Sequence, residues 1–266
     1  MADNRLDIFL KHIRAKGRYT FTFDELKKNF DLSDKALRQS MFRLQKKNEI
    51  AVIRQGFYVI IPPEYASTGT LPETVFIDSL MKFLGKIYYV GLLSAAALHG
   101  AAHQKPMTDY VVCQHPAPRN INNKKQRILF FSKQTLIQEG IVQKKTISGF
   151  INVSSPELTA FDLLDNIKKF GINRITTVLQ ELHEEMRPSR LSKIAKLVDN
   201  RANIQRLGYI LETVIGAEAE KLTNVLYKIL SKTTFVPVPL SPVKTRHGTI
   251  NKKWKIIENM QIEPDL

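Results

Sequence analysis

Cysteine is nearly absent: one residue, Cys113, in 266. It excludes an intramolecular disulfide and any CxxC metal motif, which fits a reducing cytosol. Tryptophan is also single, and acidic side chains are scarce, 25 against 40 Lys and Arg. No apolar run reaches the roughly 20 residues that span a bilayer. The longest, Ile87 to Ala102, is broken by Ser94, His99 and Gly100 and reads as a buried helix. No secretion signal precedes the first helix, which carries charge from Asp3 onward. No long basic amphipathic helix with an aromatic face favours a membrane surface. Phosphate loops of the GxxxxGK[ST] type, HExxH, Gly-x-Ser-x-Gly and Asp-x-Asp are all missing, so nothing compels an enzyme, a cofactor or a metal.

What is present is positive charge. The formal net charge of +15 attracts polyanions, and nucleic acid is the expected partner. With 43% hydrophobic residues the chain buries real cores, and its length favours two domains. The stretch from Pro62-Pro63 through Leu71-Pro72, rich in Pro, Gly and small polar residues, marks a boundary. The expected organisation is α+β: a winged helix-turn-helix over residues 1–63, a linker over 64–72, and a larger, mainly helical mixed domain over 73–266. Both sides are basic, with 13 Lys and Arg against 7 Asp and Glu in residues 1–63 and 27 against 18 in the rest of the chain.

The winged-helix expectation rests on periodicity. Leu6, Phe9, Leu10 and Ile13 share one helical face ending near Gly17. Thr22 and Glu25 form a capping box for a second helix through Phe30, and Ser33 caps a third with Leu37, Met41 and Leu44 as its stripe. Ile50–Ile53 and Phe57–Ile60 read as a hairpin around Arg54-Gln55-Gly56. Pinning that stripe inward turns Lys35, Arg38, Gln39, Phe42, Arg43 and Lys46 outward. Arg38 and Gln39 have the chemistry to read base edges in a major groove, Arg on guanine and Gln on adenine. Ser33, Lys35, Arg43, Lys46, Arg54 and Gln55 suit phosphates, which position without specifying. The bland alternative is a solvated basic face. Phe42 reads as packing against the second domain, touching a thymine methyl or a plain surface aromatic, the first being favoured.

Further on, helices are expected at Glu73–Leu84 and Leu92–Ala102, strands at Asp109–Cys113 and Arg127–Phe131, a helix start at Ser155-Pro156-Glu157, and extended segments at Phe235–Leu240 and Trp254–Ile257. Glu157, Asp162 and Asp165 read as a solvated helix face. Cys113 reads as a core thiol and Ser94 as a packing residue. His99 and His103 have zinc-like i, i+4 spacing without a third ligand, so they read as structural, with a functional role left open. Two more basic clusters, one with Lys124, Lys125 and Arg127 and one with Lys252 and Lys253 beside Trp254, are either a second nucleic-acid or acidic-partner surface or solvated loops.

Gly56-Phe-Tyr58, Ile61-Pro-Pro-Glu-Tyr65, Tyr88-Tyr-Val-Gly-Leu-Leu-Ser-Ala-Ala-Ala-Leu-His-Gly-Ala-Ala-His-Gln104, Ser155-Pro-Glu-Leu-Thr-Ala-Phe-Asp162, Leu207-Gly-Tyr209, Trp254-Lys and Ile262-Glu-Pro-Asp265 together resemble the AbiEi antitoxins of type IV toxin-antitoxin systems. The resemblance implies a repressor of its own promoter that binds inverted repeats in double-stranded DNA. It also implies a second domain, from near Leu71, that helps neutralise a nucleotidyltransferase-like toxin acting on RNA, without need of a stable complex. It supplies no catalytic residues. The competing reading is a nucleic-acid-binding or RNA-modifying protein whose second basic domain acts on RNA.

Overall fold

The computed structural model describes residues 2–101, 106–123 and 125–263, with side chains from residue 5 onward. His103, Gln104, Lys124, Pro264 and Asp265 therefore lie outside the described residues. By compactness the chain divides into two units. The first comprises Met1–Tyr88, Cys113–Ser132 and Gln143–Asn152; the second comprises Tyr89–Val112, Lys133–Val142 and Val153–Leu266.

The chain opens with α1 (Ala2–Ala15), β1 (Thr20–Thr22), α2 (Phe23–Asn29), α3 (Asp34–Lys46), β2 (Ile50–Arg54) and β3 (Phe57–Ile60). Local chemistry sets the breaks. Gly17 takes φ +75 after α1, where a side chain would be strained. Thr22 Oγ1 accepts from Glu25 N at 3.1 Å and Ser33 Oγ from Ala36 N at 3.3 Å, so both short helices begin on satisfied caps. The three strands form an antiparallel sheet in the order β1-β3-β2, in register Thr20↔Val59 and Ile50↔Ile60. Leu6, Leu10, Ile13, Leu26, Leu37, Met41 and Leu44 share one core with Phe21 and Tyr58, whose rings stack at 5.3 Å.

After a 3-10 turn at Pro63–Tyr65 come α4 (Glu73–Phe83), β4 (Tyr88–Val90), α5 (Leu92–Leu98), β5 (Asp109–Gln114), β6 (Ile121–Asn123), β7 (Gln126–Lys133), β8 (Ile141–Thr146) and β9 (Gly149–Ser154). A six-stranded sheet has the order β6-β7-β5-β4-β9-β8. The segment 64–72 is tied down within the first unit: Gln126 Nε2 donates to the Leu71 carbonyl at 3.3 Å, and Leu71 is buried.

The apolar run from Ile87 is not one helix, as its composition suggests. It is strand β4, a turn at Gly91, then α5, which stops at Leu98. A Cβ on Gly91 would come within 2.8 Å of Val112 Cγ2, so the turn has no room for a side chain.

The remaining helices are α6 (Pro156–Asp165), α7 (Ile167–Phe170), α8 (Ile172–Leu182), α9 (Pro188–Leu197), α10 (Arg201–Ile210) and α11 (Glu220–Leu230), followed by β10 (Val238–Pro239), β11 (Ile250–Asn251) and β12 (Ile256–Ile257). Strand β12 pairs parallel with β10 and antiparallel with β11. The acids of α6 are a correction: Glu157 and Asp162 are fully buried rather than solvated. Asp162 accepts from Tyr89 OH at 2.9 Å and pairs with Lys133, while Glu157 Oε1 accepts from Arg187 N at 2.7 Å. Burial pushes the Asp162 carboxyl up, and Lys133 pulls against that shift. Among the described residues no helix is long and apolar enough to cross a membrane.

Candidate nucleic-acid interface

Helix α3 carries the candidate surface. Leu37, Met41 and Leu44 are buried, and Lys35, Arg38, Gln39, Arg43 and Lys46 are all exposed, as a period of about 3.6 residues requires. Asp34 at its start pairs with Lys27 of α2 at 3.1 Å, which offsets the one acid there. Ser33 spends its hydroxyl on the cap, so any anion contact at this end falls to backbone amides.

Arg38 is not a loose side chain. Its guanidinium carbon lies 4.4 Å from the centroid of the Phe23 ring of α2. A ring beneath the guanidinium engages its face, and its in-plane N–H groups keep their capacity to donate hydrogen bonds. Phe42 is 55% exposed, with Lys46 Nζ 4.8 Å from its ring centroid. The cost of exposing an aromatic is partly offset by the ammonium above it.

The hairpin tip differs from a free arm. Gln55 is exposed, but Arg54 is half-buried and its Nη2 donates to the Arg119 carbonyl. Burial, and then the charge of Arg119, lowers the Arg54 pKa. Lys125 Nζ donates to Asn48 Oδ1, just past α3, at 3.1 Å, and to the Gly69 carbonyl at 3.4 Å. Arg119 and Lys125, which flank β6, are thus fastened to the hairpin and to the end of α3 within the first unit, and the exposed Arg127 follows at the start of β7. Sequence spacing gave no sign of this, because the partners lie 65 and 77 residues apart.

The last basic cluster is mostly structural. Trp254 is fully buried, and Lys253 pairs with Glu212 at 2.6 Å while lying 5.4 Å and 5.3 Å from the Tyr227 and Trp254 rings. Lys253 is thus half-buried and already paired, whereas Lys252 is exposed. His99 Nε2 lies 2.7 Å from the Ser154 carbonyl, Ser94 Oγ accepts from Tyr110 N at 2.9 Å, and Cys113 is a buried free thiol whose pKa burial raises.

Residues 89–213 match the family model described as the AbiEi antitoxin C-terminal domain, which bears out the resemblance carried by the sequence. No curated protein sequence matches the chain. The crystal structure of the RV2827C protein from Mycobacterium tuberculosis superposes with a TM-score of 0.66 at 14% identity, covering 93% of this chain and 89% of that one. At that identity the likeness is one of fold.

Proposed function

Starting from the AbiEi antitoxin match over residues 89–213, we propose that this chain is a type IV antitoxin that also represses its own promoter. Residues 1–63 act as a winged helix-turn-helix with α3 as the recognition helix, and residues 73–266 serve antitoxin function. The observation that supports DNA binding best is the exposed basic face of α3, held by a buried stripe and led by an Arg38 already braced on Phe23. Arg38 and Gln39 read bases, and Lys35, Arg43, Lys46 and Gln55 hold phosphates. Arg54 contributes chiefly by fastening the Arg119 loop beside the hairpin. Two half-sites about one helical turn apart suit a chain presenting one such helix, so the operator is an inverted repeat.

Neutralisation is directed at a nucleotidyltransferase-like toxin that acts on RNA, and it does not require a stable complex. Footprinting the purified chain on DNA upstream of its own gene tests the repressor reading. A protected inverted repeat is expected; uniform, salt-labile coating without a protected repeat overturns it. Co-expression with the neighbouring toxin gene, scored by growth, tests the antitoxin part.

A further inference from the structure

The second unit holds a cavity of about 490 Å³ whose wall is cationic. Among the described residues its ionisable lining is Lys168, Lys169, Arg206, Lys244 and Arg246 against Asp165. That one carboxylate is already engaged: Lys133 Nζ lies 3.0 Å from Oδ2, and Asn203 Nδ2 donates to Oδ1 at 2.6 Å. Among the described lining residues, positive charge thus exceeds negative.

Arg206 makes the imbalance acute. It is 6% exposed, and its Nε and Nη1 donate to the Pro239 carbonyl at 3.1 Å and to Asn203 Oδ1 at 3.0 Å, both neutral oxygens. Burial lowers its pKa, and among the described residues no carboxylate acts against that shift. A guanidinium nonetheless keeps its charge, and a buried cation without a counter-charge is costly. Such a group lining a cavity calls for an anion brought from outside.

The remaining lining narrows the ligand. Asn200, Ala202 and Asn203 come from the first turn of α10, whose cap Asn200 makes no side-chain capping bond, so that helix end adds its dipole to the cationic field. Ile167, Val238, Pro239 and Pro242 give the same cavity an apolar side, and Asn166 adds a carboxamide. Cationic and apolar walls in one cavity, with a volume inside the range of about 300–1,000 Å³ typical of small-molecule sites, fit a phosphorylated molecule of mononucleotide size. We propose that this cavity binds a free nucleoside di- or triphosphate, with Arg206 forking onto a phosphate and the lysines and Arg246 neutralising the rest.

Calorimetric titration of the full chain at low salt with the four ribonucleoside triphosphates, inorganic tripolyphosphate and a short single-stranded RNA tests it. At least one nucleotide is expected to bind more tightly than tripolyphosphate and to raise the melting midpoint. The exposed double variant Lys244→Glu, Arg246→Glu should weaken that binding roughly tenfold or more while leaving the melting midpoint of the unliganded chain unchanged. Arg206→Lys should weaken it without loss of charge; should that buried variant fail to fold, the double variant carries the test. The proposal is overturned if no nucleotide binds, if the double variant binds equally well, or if tripolyphosphate binds as tightly. It fails equally if RNA binds and nucleotide does not compete, or if Arg38→Ala removes nucleotide binding and so assigns it to the first unit.

Discussion

Arg38 shows how one neighbour changes the meaning of a charged side chain. An exposed arginine ordinarily gives up rotamer freedom to reach a base, whereas one stacked on Phe23 has surrendered part of that freedom on folding. Arg38→Ala is expected to cost about 1–3 kcal/mol on cognate DNA and to relax preference at one base step, while Arg38→Lys keeps the charge and loses the fork. Mobility shifts on cognate and scrambled duplexes decide the matter, because equal losses on both would reduce Arg38 to a phosphate contact. Asp162 and Lys133 set a different problem, since each is costly to bury without the other. Lys133→Met should destabilise by about 3–5 kcal/mol. With the cation gone, burial holds the Asp162 carboxyl above its unfolded pKa, so its contribution is full in acid and is lost as pH rises through that raised value. The variant is therefore less impaired at an acid pH than at a neutral one. Urea midpoints at the two pH values measure this, and adding Asp162→Asn should recover part of the loss at the higher one.

Elements differ in how openly the sequence declares them. Helices α1 to α3 could be placed because their stripes repeat at helical spacing and their caps lie three residues from the amides they satisfy. Ser33→Ala should accordingly cost about 1 kcal/mol in chemical denaturation, with the loss confined to stability if α3 still forms. Strands β6 and β8 gave little signal, since Asn122, Asn123, Gln143, Lys144 and Lys145 dilute any alternation. Strand β4 was hidden because it is buried on both faces, leaving a continuous apolar run that periodicity alone does not separate from a helix. The burial of α6 was illegible for another reason: its partners Tyr89 and Lys133 are supplied from 73 and 29 residues away. Helix α10 has a comparable dependence. A methyl group at Gly208 would overlap the Trp254 ring, so Gly208→Ala should cost about 1–3 kcal/mol and displace that side chain. Trp254 is the sole tryptophan, and its emission is expected to shift to the red in the variant. Unshifted emission would mean that the helix yields instead.

Charge acts at the scale of the whole molecule, and the fold redistributes what the linear sequence kept apart. Arg119 and Lys125, on either side of β6, lie some sixty residues beyond the hairpin in the chain, yet they belong to the first compact unit and are fastened there to Arg54 and Asn48. The Lys252–Lys255 cluster contributes less than its composition suggests, because Lys253 and Lys255 lie over aromatic rings and bond to Glu212 and the Phe235 carbonyl. Counterion release makes this difference measurable: log K falls linearly with log salt by about 0.9 per phosphate neutralised. Lys46→Ala should lower that slope by about one while leaving the ranking of sequences intact. Arg127→Ala should lower it by a similar amount if the fastened segment lies over the same duplex, and Lys252→Ala should leave it unchanged. A slope that ignored Arg127 would restrict DNA contact to α3 and the hairpin, and the positive field of the rest of the chain would then serve to draw DNA in without touching it.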